Sequence, residues 1–222
     1  MKVALMLTGL ARKVEEGYFY YWKHIIEKYN PDIYLHCWKD EEWEKVISTY
    51  ENYNVKLLDI QEPFSFKEYT IGIEADDDKS RPTLPYEVAG NFRGFPMFYS
   101  WQRTSNNISD NYDVLIRSRY DMGNPTPLNL DNLDFSKINV SSKHWGGNPI
   151  PDDNLLVTNQ ENFDIIFKDC FDNLIEDSQK TKRIFFQEKN FLHLLERKGI
   201  SNLIEERHEL AFDLLRENKL WY

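Results

Sequence analysis

Short apolar runs alternate along this chain with longer stretches in which apolar residues recur every three or four positions. Val3 to Leu7 is a continuous apolar run and reads as a buried strand, followed by a loop at Thr8-Gly9-Leu10-Ala11-Arg12. Tyr18, Tyr21, Trp22, Ile25, Ile26 and Tyr29 fall at helical spacing, and Asn30-Pro31 stops that helix. Asp32 to Trp38 is the next strand, with Ile33, Leu35 and Cys37 on one face and Tyr34, His36 and Trp38 on the other. Trp43, Val46, Ile47 and Tyr50 mark a second amphipathic helix, and Val55 to Ile60 a third strand. Strand, helix, strand, helix, strand predicts an α/β fold with a mostly parallel central sheet, flanked by helices and joined by right-handed crossovers.

The periodicity lapses from Gln61 to Gly94, a stretch rich in proline and glycine that also holds Asp76-Asp77-Asp78. A loop of that length in a compact domain reads as a lid or binding loop. A helix follows from Pro96 towards Ser109, then an apolar strand from Asp113 that turns polar as it reaches Asp121. Ile138 to Ser142 and Leu155 to Thr158 read as short strands on either side of a turn-rich loop, His144 to Asp153. Phe163, Ile166, Phe167, Cys170, Phe171 and Leu174 share a helical period, and Phe185 to Arg197 is a helix closed by Gly199. The tail from Ile200 fits helix or strand. No repeat, low-complexity tract or linker divides the 222 residues, which read as one domain.

Composition narrows the class. Hydrophobic residues make up 41% of the chain and aromatics 15%, enough for a packed core and too much for global disorder. A formal charge of −10 speaks against a sequence-independent nucleic-acid binder, which needs a basic face for phosphate. Cys37 and Cys170 are too few for a disulfide framework or a zinc cluster, and read as buried thiols of a reducing compartment. The first apolar run is too short for a signal peptide, and no later run approaches the roughly 20 residues of a membrane span. The expectation is a cytoplasmic protein with no transmembrane segment, whose contact with membranes is at most peripheral.

Chemistry concentrates at Arg117-Ser118-Arg119-Tyr120-Asp121. Ligands of open α/β sheets bind beyond the carboxyl ends of the strands. Alternation along the strand sets Arg117, Arg119 and Asp121 on one side. Two guanidiniums can grip a diphosphate, and a carboxylate can hold a divalent cation that bridges the same phosphates. The same residues can equally form a structural ion-pair cluster. Asp152 and Asp153 precede a strand, where a carboxylate can deprotonate an acceptor hydroxyl or simply make a turn. Trp145, in the same loop, offers a face for a sugar. Asp76-Asp77-Asp78 follows no apolar strand and reads as a solvated loop, Asp32 as a cap or turn, and His36 as a core histidine.

Gly9-Leu10-Ala11-Arg12, Pro31-Asp32-Ile33-Tyr34-Leu35-His36 and Arg117-Ser118-Arg119-Tyr120-Asp121 occur in that order. With the strand and helix layout, they resemble the GT-A-type glycosyltransferases from the first strand to about Gln160. More narrowly, they resemble a group of small bacterial and viral proteins with a Gly-x-x-Arg loop and an Arg-x-Arg-x-Asp strand end. The resemblance implies one GT-A-like (Rossmann-like) domain over residues 1–222, with 1–122 as the nucleotide-binding half and 123–222 as the acceptor-side half. It implies transfer of a sugar from a nucleotide-sugar to a hydroxyl of a glycan acceptor, as in polysaccharide biosynthesis. Thr8, Gly9, Arg12, Arg117, Arg119 and Asp121 would then lie at the nucleotide, and Asp121 would ligate Mn²⁺ or Mg²⁺. Asp153 or Asp152 would act as base. The chain departs from the wider fold at one position: Arg119 stands where the first acid of an Asp-x-Asp motif belongs. Either Asp121 holds the metal with phosphates and water, or the arginines neutralise the diphosphate without a metal. A nucleotidyltransferase and a non-catalytic glycan- or nucleotide-binding module use the same phosphate site and remain the alternatives.

Overall fold

A computed structural model of the chain describes residues 1–75, 94–123, 128–141, 151, 153–207, 210 and 213–214. Strand β1 (Val3–Leu10) leads into an unbroken helical stretch made of α1 (Val14–Gly17), a π turn (Tyr18–Trp22) and α2 (Lys23–Tyr29). Then come β2 (Asp32–Trp38), α3 (Glu44–Tyr50), β3 (Val55–Gln61), β4 (Glu74–Ala75), α4 (Gly94–Ser105), β5 (Val114–Ser118) and β6 (Met122–Gly123). The remainder is β7 (Ile138–Ser141), β8 (Leu156–Thr158), α5 (Gln160–Phe167), α6 (Cys170–Thr181), β9 (Arg183–Ile184), α7 (Gln187–Arg197), β10 (Ile204–Arg207) and β11 (Asp213–Leu214).

One seven-stranded sheet runs β10-β7-β8-β5-β1-β2-β3. β3, β2, β1 and β5 are mutually parallel neighbours, and β10 is parallel to β7. β8 alone in this sheet runs against its neighbours, β5 and β7. The chain moves outward from β1 to β3 and then returns to the other side of β1 for β5. The β1–β5 junction is therefore the switch point, where the crevice of an open α/β sheet lies.

Alternation sorts the core into two layers. Leu5, Leu7, Ile33, Leu35, Cys37 and Ile116 face one way, against Tyr21, Trp22, Ile25, Val46 and Tyr50 of the helices that follow β1 and β2. Met6, Tyr34, Trp38 and Leu115 face the other way, against Phe98, Trp101, Phe163, Phe167 and Phe191 of α4, α5 and α7. Cys37 and Cys170 are buried free thiols on opposite faces. Local signals act as the residues dictate. Asn30 takes the left-handed conformation (φ 44°) that ends α2 ahead of Pro31, and Gly199 does the same (φ 71°) after α7. Asn159 caps α5 by accepting from the Asn162 amide at 2.9 Å. Lys168 Nζ donates to the Ser105 and Ile108 carbonyls where α4 ends.

Several boundaries differ from those the sequence suggests. β1 continues through Thr8, Gly9 and Leu10 because these pair with His36, Cys37 and Trp38 of β2. β5 stops at Ser118, so Arg119 to Asp121 lie beyond the strand. The helical run from Phe163 to Leu174 breaks between α5 and α6, where Asp169 leaves the helical region. The tail contributes β10 to the sheet edge. The start of the proline-rich loop forms β4, paired with β9, while Asp76-Asp77-Asp78 lies outside the described residues. No helix among the described residues is long and apolar enough to cross a membrane.

Candidate functional site

The carboxyl ends of β1 and β5 sit side by side, in register from Val3 opposite Val114 to Leu7 opposite Ser118. Past Ser118 the chain makes a short turn whose two ends are joined. Arg119 Nε donates to Asp121 Oδ1 at 2.8 Å and its Nη2 to Oδ2 at 2.8 Å. This is the two-pronged pairing that a planar guanidinium and a carboxylate are shaped to make. Arg119 Nη1 reaches Asn154 Oδ1 at 3.2 Å, and Ser118 Oγ donates to the Asn154 carbonyl at 2.8 Å. The pair is graded in exposure: the Asp121 side chain is 5% exposed and that of Arg119 29%. The carboxylate is thus the inner member and the guanidinium the outer one.

The backbone of this turn is pinned from the opposite side. Trp22 Nε1 donates to the Arg119 carbonyl at 3.1 Å. Tyr120 Oη reaches across β1 to the His36 carbonyl at 2.9 Å. Gly17 packs directly on the turn: a Cβ there would collide with the Tyr120 carbonyl and come within 3.3 Å of the Met122 carbonyl oxygen. The π turn carries the chain from Gly17 to Trp22, so one helical element supplies two of these contacts. π turns inside helices occur frequently at functional sites.

On the β1 side, Thr8 is buried and Gly9 adopts φ 126°, a backbone setting that L side chains rarely take. The Ala11 amide donates to Asp40 Oδ2 at 3.1 Å, and the Glu42 amide to Asp40 Oδ1 at 2.9 Å. Asp40 thereby ties the segment after β1 to the segment after β2. Arg12 is exposed, and among the described residues it makes no hydrogen bond or ion pair.

The other anticipated residues fall as follows. Arg117 lies under α4: it is 2% exposed, and its guanidinium carbon stands 3.7 Å from the centre of the Trp101 ring. Alternation turns it towards α4, which covers that side of the strand, while Arg119 and Asp121 lie beyond the strand's end. Asp153 is buried beside Asn154, at the start of the segment that leads into β8. Asp152, and the loop with His144 and Trp145, lie outside the described residues. Asp32 belongs to the opposite edge of the sheet, where it accepts from Tyr112 Oη at 2.8 Å and from Asn54 Nδ2. His36 is fully buried beside the Asp59–Arg103 ion pair, and burial pulls its pKa down to about 4. Sequence reading missed Asn154, Gly17, Trp22 and Asp40. Asn154 was adjacent to the acid pair and carried the only available signal, an amide after two acids at a strand start.

The donor set at Asp121 decides how well a divalent cation fits. Mg²⁺ and Mn²⁺ need oxygens turned towards the ion. Here both Asp121 oxygens accept from Arg119, the position two residues earlier is a cation, and the carboxylate is the inner member of the pair. Among the described residues no group of three or more His, Cys, Asp or Glu side chains could hold a metal. The residues do not fit a resident divalent cation at Asp121.

The chain has a GT-A-like fold, as comparison with solved structures shows. The chain superposes on the glycosyltransferase GlyE of Streptococcus pneumoniae TIGR4 with a TM-score of 0.51 and 11% identity, over 94% of this chain and 46% of GlyE. The chain thus spans under half the length of that protein. The apo form of GlyE gives a TM-score of 0.47 at 12% identity, over 89% of this chain and 44% of that one. Mouse xyloside xylosyltransferase 1 gives 0.44 at 10% identity, over 93% and 84%. The fold assignment rests on the first of these. No protein-family model matches the chain, and no curated protein matches it.

Proposed function

We propose that this protein transfers a sugar from a nucleotide-sugar donor to a hydroxyl of a glycan acceptor. The observation that carries the reading is the Arg119–Asp121 pair, held at the switch point of a GT-A-type sheet with the Gly9–Arg12 segment alongside. The nucleotide would lie beyond the ends of β1 and β5, where Thr8 and Gly9 bring backbone close to it. Negative charge develops on the diphosphate as the sugar departs. A fixed guanidinium stabilises that charge without reorganising at the moment of reaction. Arg119 supplies it, and Arg12 supplies a second positive charge on the same edge. Arg117 acts from beneath, as a buried cation stacked on Trp101 under the strand. Asp153, or Asp152, takes the proton of the acceptor hydroxyl if the anomeric centre inverts. The place of work proposed is the cytoplasm, in building a polysaccharide.

Incubation with a panel of nucleotide-sugars tests the reading. Release of free nucleoside diphosphate, accelerated by acceptor glycans and lost in Arg119→Ala, is the expected result. Release of pyrophosphate identifies a nucleotidyltransferase instead. Tight binding with no turnover identifies a binding module.

A further inference from the structure

Arg119 and Asp121 are joined by two short charge-assisted bonds of 2.8 Å each. A dication that took Asp121 as its ligand would have to displace that fork and then sit beside the expelled guanidinium, against Coulomb repulsion. The carboxylate is also the less accessible partner, 5% exposed against 29% for the arginine. A ligand arriving from solvent therefore meets the positive end of the pair first. Although the pair is neutral in sum, it is oriented: anion inward, cation outward, with Asn154 holding the guanidinium from a third direction. One neighbour adds to the same field. Arg12 is exposed on this edge with no partner among the described residues, and the turn's backbone is fixed by Trp22 and Tyr120.

We infer that the Arg119–Asp121 pair takes the place of a divalent cation in this protein, so that the donor diphosphate is bound by the Arg119 guanidinium, with Arg12 as second cation, in the absence of metal. Asp121 is on this account a positioning residue, which aims Arg119 and does not ligate an ion. The inference rests on the nucleotide-sugar reading given above, and concerns how that site recognises its ligand.

The experiment is calorimetric titration with UDP, GDP, CDP and ADP, in EDTA and separately in Mn²⁺ or Mg²⁺, with thermal stabilisation as a second readout. The expected result is that at least one nucleotide binds, with dissociation constants in EDTA and in metal agreeing within about twofold. Arg119→Gln then weakens binding tenfold or more in both buffers. Asp121→Asn weakens it to equal extents in both buffers, because an amide cannot accept both prongs of the fork. Binding that appears only with Mn²⁺ or Mg²⁺ overturns the inference and leaves the glycosyltransferase reading intact. Metal-free binding that survives Arg119→Gln unchanged overturns it as well, by placing the nucleotide elsewhere. An Asp121→Asn variant that loses only a metal-dependent increment makes Asp121 an ion ligand and overturns it too. No binding of any nucleotide in either buffer overturns the nucleotide-sugar reading and the inference together. The wild-type comparison needs no variant, so misfolding of a mutant does not blunt the test.

Discussion

His36 shows what burial does to one titratable side chain. It is enclosed between β1 and β3, in contact with the rings of Trp38 and Tyr99, and neither ring nitrogen has a hydrogen-bond partner among the described residues. Burial disfavours the imidazolium and Arg103 adds to that effect, while Asp59 opposes it, and the result is a pKa of about 4 against an ordinary 6.5. Between those values the unfolded chain binds the proton and the folded chain does not. Stability is therefore fully present above about pH 6.5 and is lost as the pH falls towards 4, by something on the order of 3 kcal/mol from this group. His36→Leu should flatten the profile in that window, which urea melts at several pH values will measure. An unchanged profile would mean that the histidine finds a partner in solution. Arg119 and Asp121 were legible as letters in a strand-end pattern. Their direct union was one of two readings the pattern left open, because a sequence shows which charges are near and not whether they face one another.

Helices and strands were largely legible, because alternation and helical spacing both survive translation into burial. Ile33, Leu35 and Cys37 face one layer, and Tyr34 and Trp38 the other, as the pattern requires. The π turn was not legible: Tyr21, Trp22, Ile25 and Ile26 keep an apolar stripe whether or not one turn is widened. Nor was the direction of β8, since a three-residue apolar strand pairs equally well either way. The helix that follows β1 makes a prediction at this scale. Gly17→Ala sets a methyl group against the Tyr120 carbonyl, and backbone cannot yield as a flexible side chain would. The expected loss is roughly 1–3 kcal/mol of stability, as for other overpacked sites. Binding of nucleotide should fall with it, because the turn bearing Arg119 and Asp121 is what must shift. Trp22→Phe removes the bond to the Arg119 carbonyl and also leaves a cavity where the larger, fully buried ring stood, and should cost roughly 1–3 kcal/mol. A Gly17→Ala protein with wild-type melting and binding would show that the turn is not held by this helix.

The described residues centre on one seven-stranded sheet with a core on each face, and both cores share the strands β1, β2 and β5. Damage to either face should therefore reach the other. Leu7→Ala on one face and Phe167→Ala on the other each remove roughly 3 kcal/mol or more. That corresponds to a fall in Tm of about 6–12 °C for a chain of this size. Each variant should melt in a single transition, coincident by far-ultraviolet circular dichroism and tryptophan fluorescence. Two separated transitions would divide the faces into independent units. The site at the edge of this sheet is built from its order of strands, which no local pattern reveals: β5 meets β1 only because the chain doubles back. β8 adds a consequence of chain direction. By running against β5, it delivers Asp153 and Asn154 to the edge where Arg119 and Asp121 stand. Had β8 run the other way, Asn154 would stand at the far end of β5, and Arg119 would lose its bond to that amide.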